Sequence, residues 1–309
     1  SMVWDEERIK SLIASVSKAF PIGALMSLSS GGKVNFKPRL IEGAPIESKE
    51  NSPLSLLLDG QQRMTSLYQA TLMGKVVETE TIKKKKVKRW FYIDIRKALD
   101  SPNDREDAIV GIPEDKILKT DFGRKEYLNL STPDYESASF MYPISQVFDW
   151  DSWQDGFDEH WSGDENKAIR DEFRGFKKQV LESFKYYLVP VINLDQNTPK
   201  EAVCLVFEKV NTGGKPLDAF ELVTAMYAAD GHELRKDWYG DNTVKGRLSR
   251  LRETLRPAGQ EQGILAHVSN TDFLQAISLF HTRDKRIAAE IAGKKGKELP
   301  QVTGKKEAL

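Results

Sequence analysis

Cysteine is almost missing from this sequence: Cys204 is the one such residue in 309. A lone thiol closes no intramolecular disulfide and builds no thiolate-cluster metal site, so a disulfide-stapled secreted domain is excluded and a cytoplasmic location is expected. Histidine is scarce too. His160, His232, His267 and His281 form no H-x-H, H-E-x-x-H or H-N-H arrangement, so the common histidine metal centres are not encoded. No apolar run approaches the roughly 20 residues that span a bilayer, and the opening SMVWDEERIKSL has no signal-peptide core, so no membrane partner is expected. A charge excess is also lacking. Lys plus Arg and Asp plus Glu number 46 each, so any nucleic-acid face must be local. Neither a solenoid repeat nor a G-x-x-x-x-G-K-[ST] phosphate loop occurs.

What is present is enough apolar material, 39% of residues, for one large domain or two smaller ones. Ile9, Leu12, Ile13, Val16 and Phe20 recur at helical spacing, and Pro21 is expected to close that helix. IGALMSL reads as a strand, Gly31-Gly32 as a turn, VNFKPRLIEG as a second strand, and Leu54 to Leu58 as another after a polar loop. The tract IKKKKVKRWFYIDI runs from lysines into a β-branched and aromatic strand. Residues 100–138 hold no sustained period and read as loop and short elements. Between 149 and 172 acids surround Trp150, Trp153 and Trp161, which reads as an exposed insertion whose tryptophans pack locally. YYLVPVINL is a strand, TPKEAVCLVFEKV and LDAFELVTAMYAA are helices, and the pattern is mainly helical after Gly231. Cys204 sits near an apolar stripe, as a buried small hydrophobe does. The order of elements indicates an α+β core with a C-terminal helical segment.

One stretch departs from this pattern. In LLLDGQQRMTSLYQATLMG, residues 56–74, a strand-length run ends at Asp59-Gly60, and Met64, Leu67, Tyr68, Thr71 and Leu72 then fall on one helical face, with Gly74 fitting the exit. The helix is predicted to start near Gln61. Its N-terminal amides carry roughly half a positive charge, Gly60 lets another group approach, and Arg63 offers a planar fork for phosphate oxygens. Gln61 and Gln62 add neutral donors and acceptors, and Asp59 adds a carboxylate suited to a phosphate-bound cation or an attacking water. The same residues also read structurally: Asp59 as a helix cap, Arg63 paired to a surface carboxylate, and solvated glutamines. VFEKVNTGGKPLDAFEL, residues 206–222, has a similar grammar. Asn211 stands at a helix end, Gly213-Gly214 leave it, and Asp218 and Glu221 are spaced as a capping box. Asn211 and Lys215 remain unexplained by capping, in a loop whose amides can approach a phosphate. Lys83 to Lys86, Lys88 and Arg89 read either as a solvated hairpin or as DNA-phosphate contacts, of which Lys84, Lys86 and Arg89 are the candidates.

Together VWDEERIKSLIASVSKAFPIGALMSL, LLLDGQQRMTSLYQA and VFEKVNTGGKPLDAFELV resemble the GmrSD-type restriction endonuclease N-terminal domain family, marked by its DGQQR motif, over most of residues 3–230. The resemblance implies a ParB/sulfiredoxin-like mixed-sheet core with surrounding helices. It divides the chain into a nucleotide-binding domain, 3–230, and the start of a helical domain, 231–309. It also implies a nucleoside triphosphate with Mg2+, bound and hydrolysed by a defence protein that acts on foreign, often modified, DNA. On that basis Asp59, Gln62 and Arg63 are catalytic, with Asp59 on the metal, and Gly60, Gln61, Arg63, Thr65, Asn211, Gly214 and Lys215 hold the nucleotide. The family's F-x-x-x-N-x-x-G pattern falls on Phe207, Asn211 and Gly214. Two features depart from the family. Its I-P-x-x-Q-R segment precedes the position where this chain begins, and the HNH-type nuclease is expected beyond residue 309 or on another polypeptide. A homo-oligomer is a further expectation. Three other readings stay open: a ParB-like module that binds nucleotide without turnover, a metal-dependent DNA nickase, and a scaffold with a degenerate site.

Overall fold

The computed structural model describes residues 4–32, 38, 40–45, 53–100, 102–120, 125–199, 202, 203, 206, 220, 223, 224, 227, 232–254, 263 and 265–304. The expectations for Cys204, Phe207, Asn211, Gly213, Gly214, Lys215, Asp218 and Glu221 lie outside the described residues. The fold is α+β, and the chain forms two compact units, each assembled from separated stretches. Unit 1 takes residues 1–25, 40–52 and 60–192, and unit 2 takes 26–39, 53–59 and 193–309.

Unit 1 opens with helix α1, Glu6–Ser17, capped by the Asp5 carboxylate, which accepts from the Arg8 amide at 3.0 Å. The helix ends earlier than Pro21. Ala19 enters the left-handed region at φ 53, and the Phe20 and Ala19 amides bond back to the Ser15 and Val16 carbonyls, the pairing of a Schellman exit. Helix α2 is Gln61–Thr71. Strands β3, Val77–Glu80, and β4, Lys86–Asp94, form a hairpin. β4 is the centre of its sheet, pairing β5, Ile109–Pro113, and β8, Met141–Pro143, along its far half. Helix α3, Ile95–Asp100, and a 3-10 turn, Pro102–Ala108, link β4 to β5, while β6, Ile117–Thr120, pairs β7, Lys125–Asn129. Residues 100–138 thus hold three strands and helix α4, Pro133–Ala138. They are short and paired across sequence, so no single segment carries a visible period.

The acidic, tryptophan-rich stretch was expected as an exposed insertion, yet it supplies the core. Helix α5, Asp151–His160, faces Trp153 and Phe157 inward against Phe173 and Phe176 of α6, Lys167–Phe176. Trp153 lies 4.8 Å from Tyr142 and 5.2 Å from Phe157, ring centre to ring centre. Asp151, Asp155 and Glu159 are exposed on the opposite side of α5, a separation that composition does not show. The trio of Ile9, Ile13 and Val16 on α1, with Phe91 and Ile93 on β4, completes this core. Glu136 is buried beside it and accepts from Tyr92 Oη at 2.7 Å, Trp153 Nε1 at 3.1 Å and Lys116 Nζ at 3.2 Å. A carboxylate so enclosed is tolerated because its lone pairs are filled. After a π turn, helix α7, Glu182–Tyr186, leads toward β9, Val191–Leu194.

Unit 2 contains Met26–Ser29 of β1, Leu25–Ser29, together with β2, Ser55–Asp59, and the end of β9, in the order β2-β1-β9. β1 and β2 are antiparallel, with Ser27 opposite Leu57 and Ser29 opposite Ser55. Met26, Leu28 and Leu58 pack with Val203 on one side, while Ser27 bonds Asn193 at 2.9 Å on the other. The second strand expected across VNFKPRLIEG has no counterpart at 38 or 40–43, where the chain turns at Glu42-Gly43. Farther on, α8, Leu234–Tyr239, α9, Arg247–Glu253, and α10, Asn270–Ile291, close around Phe220, Trp238, Leu248 and Leu274. Trp238 stacks on Phe273 at 4.0 Å and donates to Asn270 at 2.7 Å.

Candidate functional site

The start of α2 is built from unit 1 alone. Gly60, not Asp59, holds the capping position, in the left-handed region at φ 87 and ψ 9, and its carbonyl accepts from Met64 at 3.0 Å. A side chain there is excluded twice: an L residue is strained at that φ, and a Cβ would run into Leu25. Gly23 repeats the arrangement, at φ 88, where a Cβ would stand 2.5 Å from Arg63 Nη1. The Arg63 guanidinium therefore lies in a slot bounded by two glycines, and its Nη1 donates to the Ile22 carbonyl at 2.7 Å. Tyr187 fixes the other side of the Phe20–Gly23 loop. Its hydroxyl donates to the Phe20 carbonyl and accepts from the Ile22 amide at 3.1 Å.

The neighbouring motif residues are placed differently. Gln61 and Gln62 are exposed, and Gln62 Oε1 accepts from the Trp4 indole. Trp4 is held in turn by Thr79 Oγ1, which donates to its carbonyl at 2.6 Å. Thr65 is half-buried. The inward face of α2 is Ser66, Ala70 and Thr71, with Leu67 at its border, whereas Leu72 is exposed. Of the expected stripe of Met64, Leu67, Tyr68, Thr71 and Leu72, Leu67 and Thr71 face inward, Met64 and Tyr68 are half-buried and Leu72 is exposed, because the small Ser66 and Ala70 take the contact face. Gly74 is left-handed as expected, but the helix ends two residues earlier, with Leu72 as its C-cap. Asp59 ends β2 one residue ahead of Gly60, opposite Met26 in unit 2.

Half of the basic tract is matched by acids. Lys84, at the β3–β4 turn, pairs with Glu80 at 2.6 Å, Lys88 with Glu114 at 2.8 Å and Arg89 with Glu6 at 2.9 Å. Lys86 is exposed and stands opposite Glu80 in register. Sequence reasoning missed Trp4, Gly23 and Tyr187. The turn signal for Gly23 was present in Pro21-Ile22-Gly23 but merged with the following apolar run, while Tyr187 is distant in sequence and left no signal. Among the described residues no three His, Cys, Asp or Glu side chains gather to hold a metal, and no helix is long and apolar enough to cross a membrane.

The uncharacterized protein MJ0686 of Methanocaldococcus jannaschii is 25% identical over 238 residues, which is 74% of this chain and 37% of that protein. The matched part is therefore well under half of that relative's length. Residues 1–228 match the GmrSD restriction endonuclease, N-terminal domain, a span that contains the DGQQR segment, the Gly23 loop and the 206–222 stretch. The chain belongs to the GmrSD restriction endonuclease N-terminal domain family.

Proposed function

We propose that this chain is the nucleotide-binding and nucleotide-hydrolysing part of a restriction protein that acts on foreign or modified DNA, on a ParB/sulfiredoxin-like core. The observation that carries the reading is the Arg63 slot: two left-handed glycines and a clamped loop hold a guanidinium at the positive end of a helix. Arg63 and the first-turn amides take phosphate oxygens. Gln62, oriented by Trp4, faces the reacting end, and Gln61, Thr65, Asn211, Gly214 and Lys215 complete the nucleotide contacts. Asp59 fits a magnesium ion of the kind that takes one or two protein carboxylates and fills the rest of its shell with phosphate and water. The metal supplies charge neutralisation on the phosphates, and the chain's own residues position and exclude. Contact with DNA falls first to Lys86, since Lys84 and Arg89 already hold carboxylates. The HNH nuclease is a partner, in cis or in trans, and assembly into a homo-oligomer belongs to the same reading.

One observation favours a second reading. Because Arg63 also bonds Ile22, phosphate binding there would pull on the Phe20–Gly23 loop, the behaviour of a ParB-like module that uses nucleotide as a conformational ligand without turnover. Calorimetric titration with the four ribonucleoside triphosphates and magnesium, followed by phosphate release, tests both. Binding is expected to weaken at least about tenfold in Arg63→Ala, the loss of one charge-assisted contact, and to persist partly in Arg63→Lys. Release slowed about a hundredfold by Asp59→Asn, with binding retained, supports hydrolysis. Binding without release selects the second reading, and no heat with any nucleotide for a folded chain rejects both.

A further inference from the structure

Arg105 sits in the 3-10 turn Pro102–Ala108 of unit 1, and only 4% of it is exposed. Its Nε and Nη1 are buried and have no hydrogen-bond partner. None of the described carboxylates around it bonds Nε or Nη1. The turn packs against α1, α3 and β5. On α1, Glu6 pairs with Arg89 and Glu7 with Lys10, and Asp94 accepts from the Lys97 amide at the start of α3. β5 carries no charge, and Glu106 and Asp107 of the turn itself are exposed. Burial alone acts on the guanidinium and lowers its pKa, yet arginine stays charged at neutral pH. An unpaired buried cation is strongly destabilising unless a counter-charge reaches it.

We propose that Arg105 anchors an oxyanion site in unit 1, separate from the DGQQR segment, that takes phosphate-type groups. Arginine's planar fork matches phosphate and carboxylate oxygens. Nε and Nη1 lie on different edges of that fork, and each edge is completed by Nη2. One planar carboxylate fills one edge and leaves the other nitrogen orphaned, whereas linked phosphoryl groups serve both. Tripolyphosphate is therefore the preferred ligand, inorganic phosphate the weaker one and acetate the weakest.

The test is thermal unfolding and calorimetry of the full chain at constant ionic strength, titrated separately with inorganic phosphate, tripolyphosphate and acetate. It is run in an Arg63→Ala background, so that binding at the α2 start does not contribute. A ligand at about ten times its dissociation constant should raise Tm by about 3 °C. Arg105→Met, which keeps the volume of the stem, should abolish the rise, and Arg105→Lys should retain part of it. An equal rise in Arg105→Met, or a parent that responds to none of the anions, overturns the proposal. Loss of all phosphate response in Arg63→Ala alone would place the anion at α2 and overturn it as well. If Arg105→Met fails to fold, the graded response of Arg105→Lys against the parent decides.

Discussion

At the residue scale, the organising features are two glycines and the arginine between them. Gly60 and Gly23 hold backbone that L side chains rarely adopt, and each would put a Cβ into an occupied position. Gly60→Ala is expected to destabilise the chain by about 1–3 kcal/mol, combining left-handed strain with displacement of Leu25, and urea unfolding measures it. An unchanged midpoint would show that the helix start can rebuild. The Asp-Gly turn and the DGQQR identity were legible because turn chemistry is local. Trp4 and Tyr187 were not, because a side chain that reaches across 58 residues to Gln62, or 165 to Ile22, writes nothing near the motif it supports.

At the element scale, α10 shows how much a helix owes to its first turn. Ser269 and Asp272 form a reciprocal capping box: the serine side chain accepts from the Asp272 amide at 3.2 Å, and the carboxylate accepts from the Ser269 amide at 2.9 Å. That amide, and then the serine hydroxyl, hold the Asp272 carboxyl below its ordinary value. Its folded pKa is depressed, so its contribution is present above the unfolded value, about 4, and is lost as pH falls through the folded one. Ser269→Ala should cost about 1 kcal/mol, and Asp272→Asn should flatten the acid limb of the stability profile. Denaturant midpoints between pH 2 and 7 read both. An unaltered acid limb would mean that the box does not persist in solution. The helices were largely legible from their 3.6-residue period, but β5, β6 and β7 were not, since strands of four or five residues take their identity from the partners they pair with.

At the scale of the whole molecule, each unit has its own core, and that of unit 1 depends on residues that composition marked as surface. Phe157→Ala should destabilise unit 1 by about 3–5 kcal/mol. Guanidinium unfolding followed by tryptophan emission checks it, because five of the six tryptophans, Trp4, Trp90, Trp150, Trp153 and Trp161, lie in that unit. Burial, reinforced by Glu136 and neighbouring acids, pushes the Tyr92 and Tyr142 phenols far above their ordinary value. With folded values raised, their contribution is complete below about pH 10 and is lost as pH climbs beyond it. Absorbance at alkaline pH should show these two of the nine tyrosines ionising only as the chain unfolds. Early ionisation of every tyrosine, with circular dichroism intact, would contradict the burial.

The sequence by itself determined the α+β class, the strand-to-helix turn at Asp59-Gly60 and the family, since propensity, turn chemistry and a contiguous motif are properties of neighbours along the chain. Only the tertiary structure decided which side chains seat Arg63, that Trp153 and Phe157 are core, and that Arg105 is buried without a partner. Those depend on contacts between segments far apart in sequence, and on which of two chemically similar faces the packing turns inward.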